Sequence, residues 1–207
     1  VGSGCAGLYC ALHLPKDKKV TIITKSAVEE SDSYLAQGGM CMLKEDSDYE
    51  AFFEDTLKAG HYENDRTSVE IMIRSSQDVM KDLLLYGADF QKDETGKLLF
   101  TKEGAHSAKR IVYHEDETGK EITSTLLRTV KKQKNIKILE YTTMIDLIVK
   151  DDRCYGAVIQ KENGKIETIR ATATVVATGG IGGLYEHSTN YGHLTGDAHA
   201  IALKYGI

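Results

Sequence analysis

The 207-residue sequence predicts one α/β domain built on a parallel sheet with insertions, and three observations predict it. A glycine-rich turn at residues 2–7 opens a helical period and is followed by a β-branched run, VTIIT, at residues 20–24. A second short β-branched run sits late in the chain, at residues 174–177, so strand–helix units bracket the sequence. Between them, three alternating segments read as an antiparallel meander.

Composition sets the outer bounds. Hydrophobic residues make up 41% and charged residues 28%, which fits a globular protein and excludes collagen, simple disorder and a disulfide scaffold. A net charge of −5 argues against nucleic acid as a partner. Apolar runs fall far short of the roughly 20 residues of a membrane span, and no secretory signal pattern opens the chain. Cys5, Cys10, Cys41 and Cys154 form no C-x-x-C pair and read as reduced thiols. The expected location is cytoplasmic.

The elements follow in order. Cys5, Leu8, Ala11 and Leu12 recur at helical spacing, and Pro15 stops that helix. Residues 20–24 are a buried strand, and residues 25–39 show no period. Tyr49–Ala59 and residues 67–86 carry helical periodicity. The second has Ile71, Ile73, Val79, Met80, Leu83 and Leu84 as its apolar face, Asp65 or Thr67 as N-cap and Gly87 as its stop. Residues 90–92 and 98–101 flank a hairpin turn at Asp93–Lys97. Thr118 and Glu121 have capping-box spacing ahead of Ile122, Leu126, Leu127 and Val130. Ile136–Leu139 is a short strand. Residues 143–149, 155–160 and Ile166–Arg170 form the meander, residues 174–177 a last strand, and residues 196–204 a last helix.

Gly2-Ser3-Gly4-Cys5-Ala6-Gly7 is G-x-G-x-x-G. Gly2 allows a tight turn, Gly4 a close backbone approach to a pyrophosphate, and Gly7 close packing of helix on sheet. The helix N-terminus then meets the phosphate charge. The alternative is a purely structural turn, but the following helix and strand supply half of the context a dinucleotide site needs, the preceding strand being the other half. The acid that normally binds ribose is missing: the strand ends in Thr24-Lys25. Lys25 suits either a 2′-phosphate or an adenosine pocket built from hydroxyls and a carbonyl. The chain starts inside its own signature, so it reads as a piece lacking its first strand.

Further motifs add a resemblance. Ser33-Tyr34-Leu35-Ala36-Gln37-Gly38-Gly39 follows the strand; then come residues 54–60 (EDTLKAG), Thr101-Lys102-Glu103-Gly104-Ala105-His106-Ser107, residues 110–114 (RIVYH) and residues 116–119 (DETG). Ala177-Thr178-Gly179-Gly180, Thr189-Asn190 and Thr195-Gly196-Asp197 close the series. With the opening GSGCAGL, this collinear set resembles the flavoprotein subunits of the succinate dehydrogenase/fumarate reductase superfamily, in its L-aspartate oxidase branch. The resemblance implies a Rossmann-like FAD-binding domain over residues 1–207, three-layered and incomplete, with a central parallel sheet and the meander. It implies FAD bound by Gly2, Ser3, Gly4, Cys5, Ala6, Gly7, Lys25, Asp32, Ser33, Tyr34, Leu35, Ala36, Gln37, Gly38, Gly39, Ala177, Thr178, Gly179, Gly180 and Asp197. Covalent-flavin members carry a histidine before A-Q-G-G; here Ser31-Asp32-Ser33-Tyr34 has none, which implies non-covalent FAD.

The implied reaction takes L-aspartate to iminoaspartate, with a hydride passing to flavin N5 and electrons onward to oxygen or fumarate. It serves NAD and quinolinate synthesis, with quinolinate synthase as an implied partner. Glu103 matches the acid near the substrate amine, and His106 is a second candidate for substrate contact. In this family the substrate cap, with its carboxylate-clamping arginines, follows the point where this chain ends, so the 207 residues alone are expected to be inactive. The alternatives are a fumarate reductase or succinate dehydrogenase flavoprotein, or an inactive FAD-binding fragment.

The blander readings stand beside these. Glu103 is also what a solvated loop acid looks like, and His106 and His114 fit structural roles. Arg110 fits pairing with Glu115, Cys5 a small-residue slot, and the acidic run 45–48 a solvated loop. His187, His193 and His199 are spaced by six, which matches no zinc pattern, so no metal is expected.

Overall fold

A computed structural model describes all 207 residues. In chain order the elements are α1 (Cys5–His13), β1 (Val20–Ile23), α2 (Asp32–Leu35), β2 (Met40–Cys41), α3 (Tyr49–Ala59), α4 (Arg66–Tyr86), β3 (Ile111–Val112), α5 (Thr118–Lys131), β4 (Ile136–Leu139), β5 (Thr142–Lys150), β6 (Arg153–Lys161), β7 (Ile166–Arg170) and α6 (Asp197–Lys204). Short 3₁₀ turns lie at Asp46–Asp48 and Gly182–Leu184. The chain divides into two compact units, one from Val1–Leu35 with Leu126–Ile207 and one from Ala36–Thr125.

The first unit holds the parallel sheet. β1 pairs in parallel with β4, from Val20 opposite Ile136 to Ile23 opposite Leu139. The ladder extends beyond β1: Gly2 N–H donates to the Ile23 carbonyl, Val1 N donates to the Val175 carbonyl (2.7 Å), and Ala177 N–H returns to Val1 (2.8 Å). The spatial order is therefore β4, β1, residues 1–2, residues 175–177. The expected strand at 174–177 is extended and bonded, but it forms no regular strand because only Val1 pairs with it. Leu8, Ala11 and Leu12 are the buried face of α1.

The meander β5–β6–β7 is antiparallel, as alternation predicts. Asp151 and Asp152 both adopt positive φ (50° and 55°), the geometry of a two-residue hairpin turn whose twist matches its strands. Ile23, Met144, Ala157, Ile159, Ala198 and Ile201 form the buried core that joins β1, β5, β6 and α6.

In the second unit, Leu43, Phe52, Leu57, Val69 and Ile73 pack α3 against α4. Val69, Ile73, Ser76, Met80 and Leu83 recur every three or four residues and are the buried stripe of α4. Ile71 and Leu84, expected on that face, are exposed; Ile71 lies off the stripe set by Ile73 and Met80, whereas Leu84, one turn beyond Met80, stands at its edge. Asp65 is the N-cap, accepting from Ser68 N–H at 2.7 Å. Gly87 takes φ +91° and ends the helix, with its N–H and that of Ala88 reaching back to the last carbonyls. Gly87→Ala forces a β-carbon into left-handed geometry; it is expected to cost about 1 kcal/mol, read as a lower Tm with unchanged far-ultraviolet dichroism.

The expected hairpin is present: residues 90–92 and 98–101 turn back on each other, with Asp93 Oδ1 accepting from Thr95 and Lys97 N–H, an antiparallel bridge at Lys92–Leu98, and Leu99 N–H donating to the Gln91 carbonyl (2.9 Å). One expectation needs correction here. Thr118 and Glu121 form no capping box. The Thr118 hydroxyl donates to the Gly38 carbonyl (2.7 Å), and Glu121 accepts from Asp89 N–H (2.9 Å). Both side chains are spent on tertiary contacts.

Candidate functional site

The glycine turn lines a cleft of about 250 Å³ in the first unit. Gly2, Ser3, Gly4 and Ala6 line it from the turn, Thr24 and Lys25 from the end of β1, and Ser31, Asp32 and Ser33 from the entry to α2. Ala177, Thr178, Gly179, His193, Thr195 and Asp197 complete the wall. The volume lies below the ~300–1,000 Å³ of a typical small-molecule pocket, which is room for part of a dinucleotide. A second groove of about 570 Å³, lined by α1, β1 and residues 169–175, is mostly aliphatic.

The turn is shaped for close approach. Gly2 has φ +106°, and a β-carbon there would overlap the Ala177 carbonyl; one at Gly7 would overlap the Gly2 carbonyl. α1 begins at Gly4 with no side-chain cap and no acid in its first turn, so its positive end suits an anion. Cys5 N–H donates to Ser33 Oγ at 3.1 Å, which ties the turn to α2. Ser3 donates to Thr24 across the cleft floor (3.1 Å).

Ser31 was not singled out by the sequence. The residue lines the cleft, and its Oγ is buried with no hydrogen-bond partner. A buried orphan hydroxyl of this kind is a ready contact for a polar ligand. With the glycine cradle and the helix N-terminus, it makes the cleft a fit for a dinucleotide diphosphate and ribose.

Lys25 has a full set of partners. Its ammonium has three donors, and three acceptors hold them: Asp197 Oδ2 (2.8 Å), Thr195 Oγ1 (2.7 Å) and the His193 carbonyl (3.1 Å). The ammonium is thus paired with the Asp197 carboxylate and is not a lone cation. Burial works against the Asp197 carboxylate, but the bonds from Lys25 and Thr195 prevail and lower its pKa. Asp32 accepts from Asn190 Nδ2 (2.6 Å) and Tyr191 N–H (3.0 Å), so it also fastens the following loop. Cys5, Gly7, Tyr34, Leu35 and Gly180 lie outside the cleft lining.

Ala36, Gln37, Gly38 and Gly39 belong to the second unit, as do Glu103 and His106. Gly38 has φ +66°, and a β-carbon there would come 3.0 Å from Glu103 Oε2. A β-carbon at Gly39 would overlap Ile111 and the Val112 carbonyl, so that glycine lets β2 and β3 close. The structure thus brings Glu103 to the A-Q-G-G run. His106 sits edge-on to Phe52 (5.6 Å), with Nδ1 3.4 Å from Arg110 Nη1. His114 Nδ1 lies 4.0 Å from Asp89.

Arg110 is fully buried, and its partner is not Glu115. It forks onto Asp48 through Nε and Nη2 and donates to Asp55 through Nη1 (2.6 Å). The acidic run therefore is not wholly solvated, since Asp48 at its end anchors this arginine. No sequence signal marks that pairing, which spans 62 residues.

All 207 residues match the family described as FAD binding domain. The L-aspartate oxidase of Clostridium perfringens is 46% identical over 207 residues, covering all of this chain and 47% of that protein. The L-aspartate oxidase of Bacillus subtilis is 36% identical over 208 residues, covering all of this chain and 39% of that protein. Among solved structures, a mutant of E. coli quinol fumarate reductase FrdA superposes with a TM-score of 0.93 at 29% identity, over 99% of this chain and 36% of its own. The chain spans about half the length of the curated relatives it matches.

Proposed function

The chain belongs to the FAD binding domain family, and from that premise we propose that it is the FAD-binding part of an enzyme that oxidises L-aspartate to iminoaspartate. The likeness to L-aspartate oxidases along the whole chain carries this reading. Its structural support is the meeting of Glu103 with Gly38.

When bound, FAD supplies the two-electron acceptor for a hydride leaving the substrate carbon. The chain's residues do the rest. The turn from Gly2 to Gly7 and the N-terminus of α1 hold the diphosphate, and the flavin stays non-covalent because no histidine stands just before the A-Q-G-G run. Ser31, Thr24 and the Lys25–Asp197 pair form the wall on the adenosine side. Gly38 and Gly39 give the backbone room at the flavin end. Glu103 offers a carboxylate to the substrate ammonium, which orients the amine-bearing carbon and rejects dicarboxylates that lack the amine. Oxygen or fumarate takes the electrons onward, and the imine product passes to quinolinate synthase. The proposed setting is cytoplasmic; no helix is long and apolar enough to cross a membrane.

The test is an anaerobic titration of the purified full-length protein. L-Aspartate is expected to bleach the flavin absorbance, and Glu103→Gln to raise the KM for L-aspartate about 10–100-fold by removing one charged hydrogen bond. Bleaching by succinate and not by L-aspartate would overturn this reading. It would favour a succinate dehydrogenase or fumarate reductase, which the FrdA likeness supports. Bleaching by dithionite alone would mark a FAD-binding piece without dicarboxylate chemistry.

A further inference from the structure

We propose that the cluster of buried Arg110 with half-buried Asp48 and Asp55 is the positioning device for Glu103, and so sets how well the site distinguishes an amine-bearing dicarboxylate from a plain one. The inference rests on the reading of Glu103 as the ammonium-binding acid.

Glu103 stands exposed on a loop whose neck is the backbone pair Thr101–Ile111, bonded both ways at 2.9 and 3.2 Å. Inside the loop, His106 N–H closes a turn on the Glu103 carbonyl (3.2 Å), and Gly104 takes φ +50°. That turn is moored through Ser107. Its N–H and hydroxyl both donate to Asp55 Oδ2 (2.7 and 2.6 Å), and its Oγ accepts from Arg110 Nη2 (3.2 Å). Arg110 in turn is held flat by the Asp48 fork, with the Phe52 ring 5.1 Å away. Asp55 and Phe52 belong to α3, so a helix carries one side of the mooring and the Glu103 loop is the other.

Stability alone does not call for this cluster. Burying one guanidinium between two carboxylates incurs desolvation, and well-packed apolar residues of similar volume often serve as well or better. What the ions supply is direction. A planar fork with fixed donors locks Ser107, and through it the turn that starts at Glu103. A reacting group displaced by about 1 Å loses on the order of 100-fold in rate or binding, which gives such a lock its use. Lysine keeps the charge but not the fork, so it cannot hold Asp48, Asp55 and Ser107 together.

The experiment uses the full-length holoenzyme and four variants: Arg110→Lys, Asp55→Asn, Glu103→Gln and the double Glu103→Gln with Arg110→Lys. It reads kcat and KM for L-aspartate, and the Kd of succinate from its perturbation of the flavin spectrum. Arg110→Lys and Asp55→Asn are expected to raise the L-aspartate KM at least about tenfold. Their kcat should stay within about threefold and the succinate Kd should not move. The double variant should be no worse than Glu103→Gln alone, because both changes act through one carboxylate. Loss of L-aspartate and succinate binding together, or losses that add in the double variant, would overturn the proposal in favour of a structural role. If Glu103→Gln shifts the preference and Arg110→Lys does not, the proposal falls and the reading of Glu103 stands. If Glu103→Gln itself leaves the preference unchanged, both fall. Asp55→Asn, which keeps the Asp48 fork, decides the matter should Arg110→Lys fail to fold.

Discussion

Alanine at Gly2 is expected to take away both the sheet edge and the cofactor, whereas alanine at Gly4 takes away the cofactor alone. Gly2 sits at φ +106°, and its β-carbon would run into the Ala177 carbonyl. That carbonyl is backbone, in the segment bonded to Val1, so it cannot swing aside. Positive φ and a backbone overlap together place the cost of Gly2→Ala at about 3 kcal/mol or more. For a chain of this size that is a Tm lower by roughly 10 °C. Gly4 is different. Its φ is −72°, and the nearest atom to a β-carbon is the Ser33 hydroxyl at 3.0 Å, a group that can rotate. The fold should survive Gly4→Ala, with Tm within about 2 °C of the parent. The added methyl, however, stands where a diphosphate must meet the backbone, and FAD affinity should fall about 100-fold. Paired thermal melts and flavin titrations separate the two. A Gly2→Ala protein that melts like the parent and keeps its flavin would show that the turn is not the phosphate cradle.

The contrast between those two glycines also marks what can be read from sequence. G-x-G-x-x-G is a local signal, since its geometry is set within six residues and a helix follows at once. The same holds for the Asp65 cap, the Gly87 stop and the meander, whose periods lie inside single segments. Where the partner is remote, the signal fades. β2 and β3 are two residues each and pair across some 70 residues of chain, so neither has a period to detect. α2 is one turn long. Thr118 and Glu121 have the spacing of a capping box, but tertiary partners outcompete the local ones. In the site, the glycines and Lys25 were legible as residue types. The pairing of Lys25 with Asp197, 172 residues on, and the orphan hydroxyl of Ser31 were not, because burial and partner choice follow from the assembled fold. Arg110 shows this most clearly. As a sequence position it is one more charge in a polar loop, yet in the structure it has no exposed surface.

Arg110→Met is therefore expected to destabilise the protein by about 3–5 kcal/mol, and to weaken its acid response. In the parent, burial works against the Asp55 carboxylate, but the Ser107 hydroxyl and N–H and the Arg110 guanidinium outweigh it and lower the pKa to about 2. Asp55 is only 16% exposed, so little of this is lost to solvent screening. A folded-state pKa below the unfolded value means stability that is complete above the ordinary carboxylate pKa. It is lost as pH falls from about 4 to about 2, and amounts to roughly 2–3 kcal/mol. In Arg110→Met the cation is gone while the burial, the neighbouring Asp48 and the two Ser107 bonds to Asp55 remain. Burial and Asp48 disfavour the charged form of Asp55 and Ser107 favours it, so its folded pKa moves up toward the unfolded value and the stability lost in acid shrinks. The variant should therefore lose less Tm than the parent as pH is lowered from about 4 toward about 2. A Tm that instead tracks the parent across that range would mean the cluster is not electrostatically coupled. The triple variant Asp48→Leu, Arg110→Met, Asp55→Leu removes every charge at once, and should recover most of the lost stability. If it does so while its preference for L-aspartate over succinate stays low, stability and amine recognition come apart in one molecule. The buried ions then serve to place Glu103, and the fold does not depend on them.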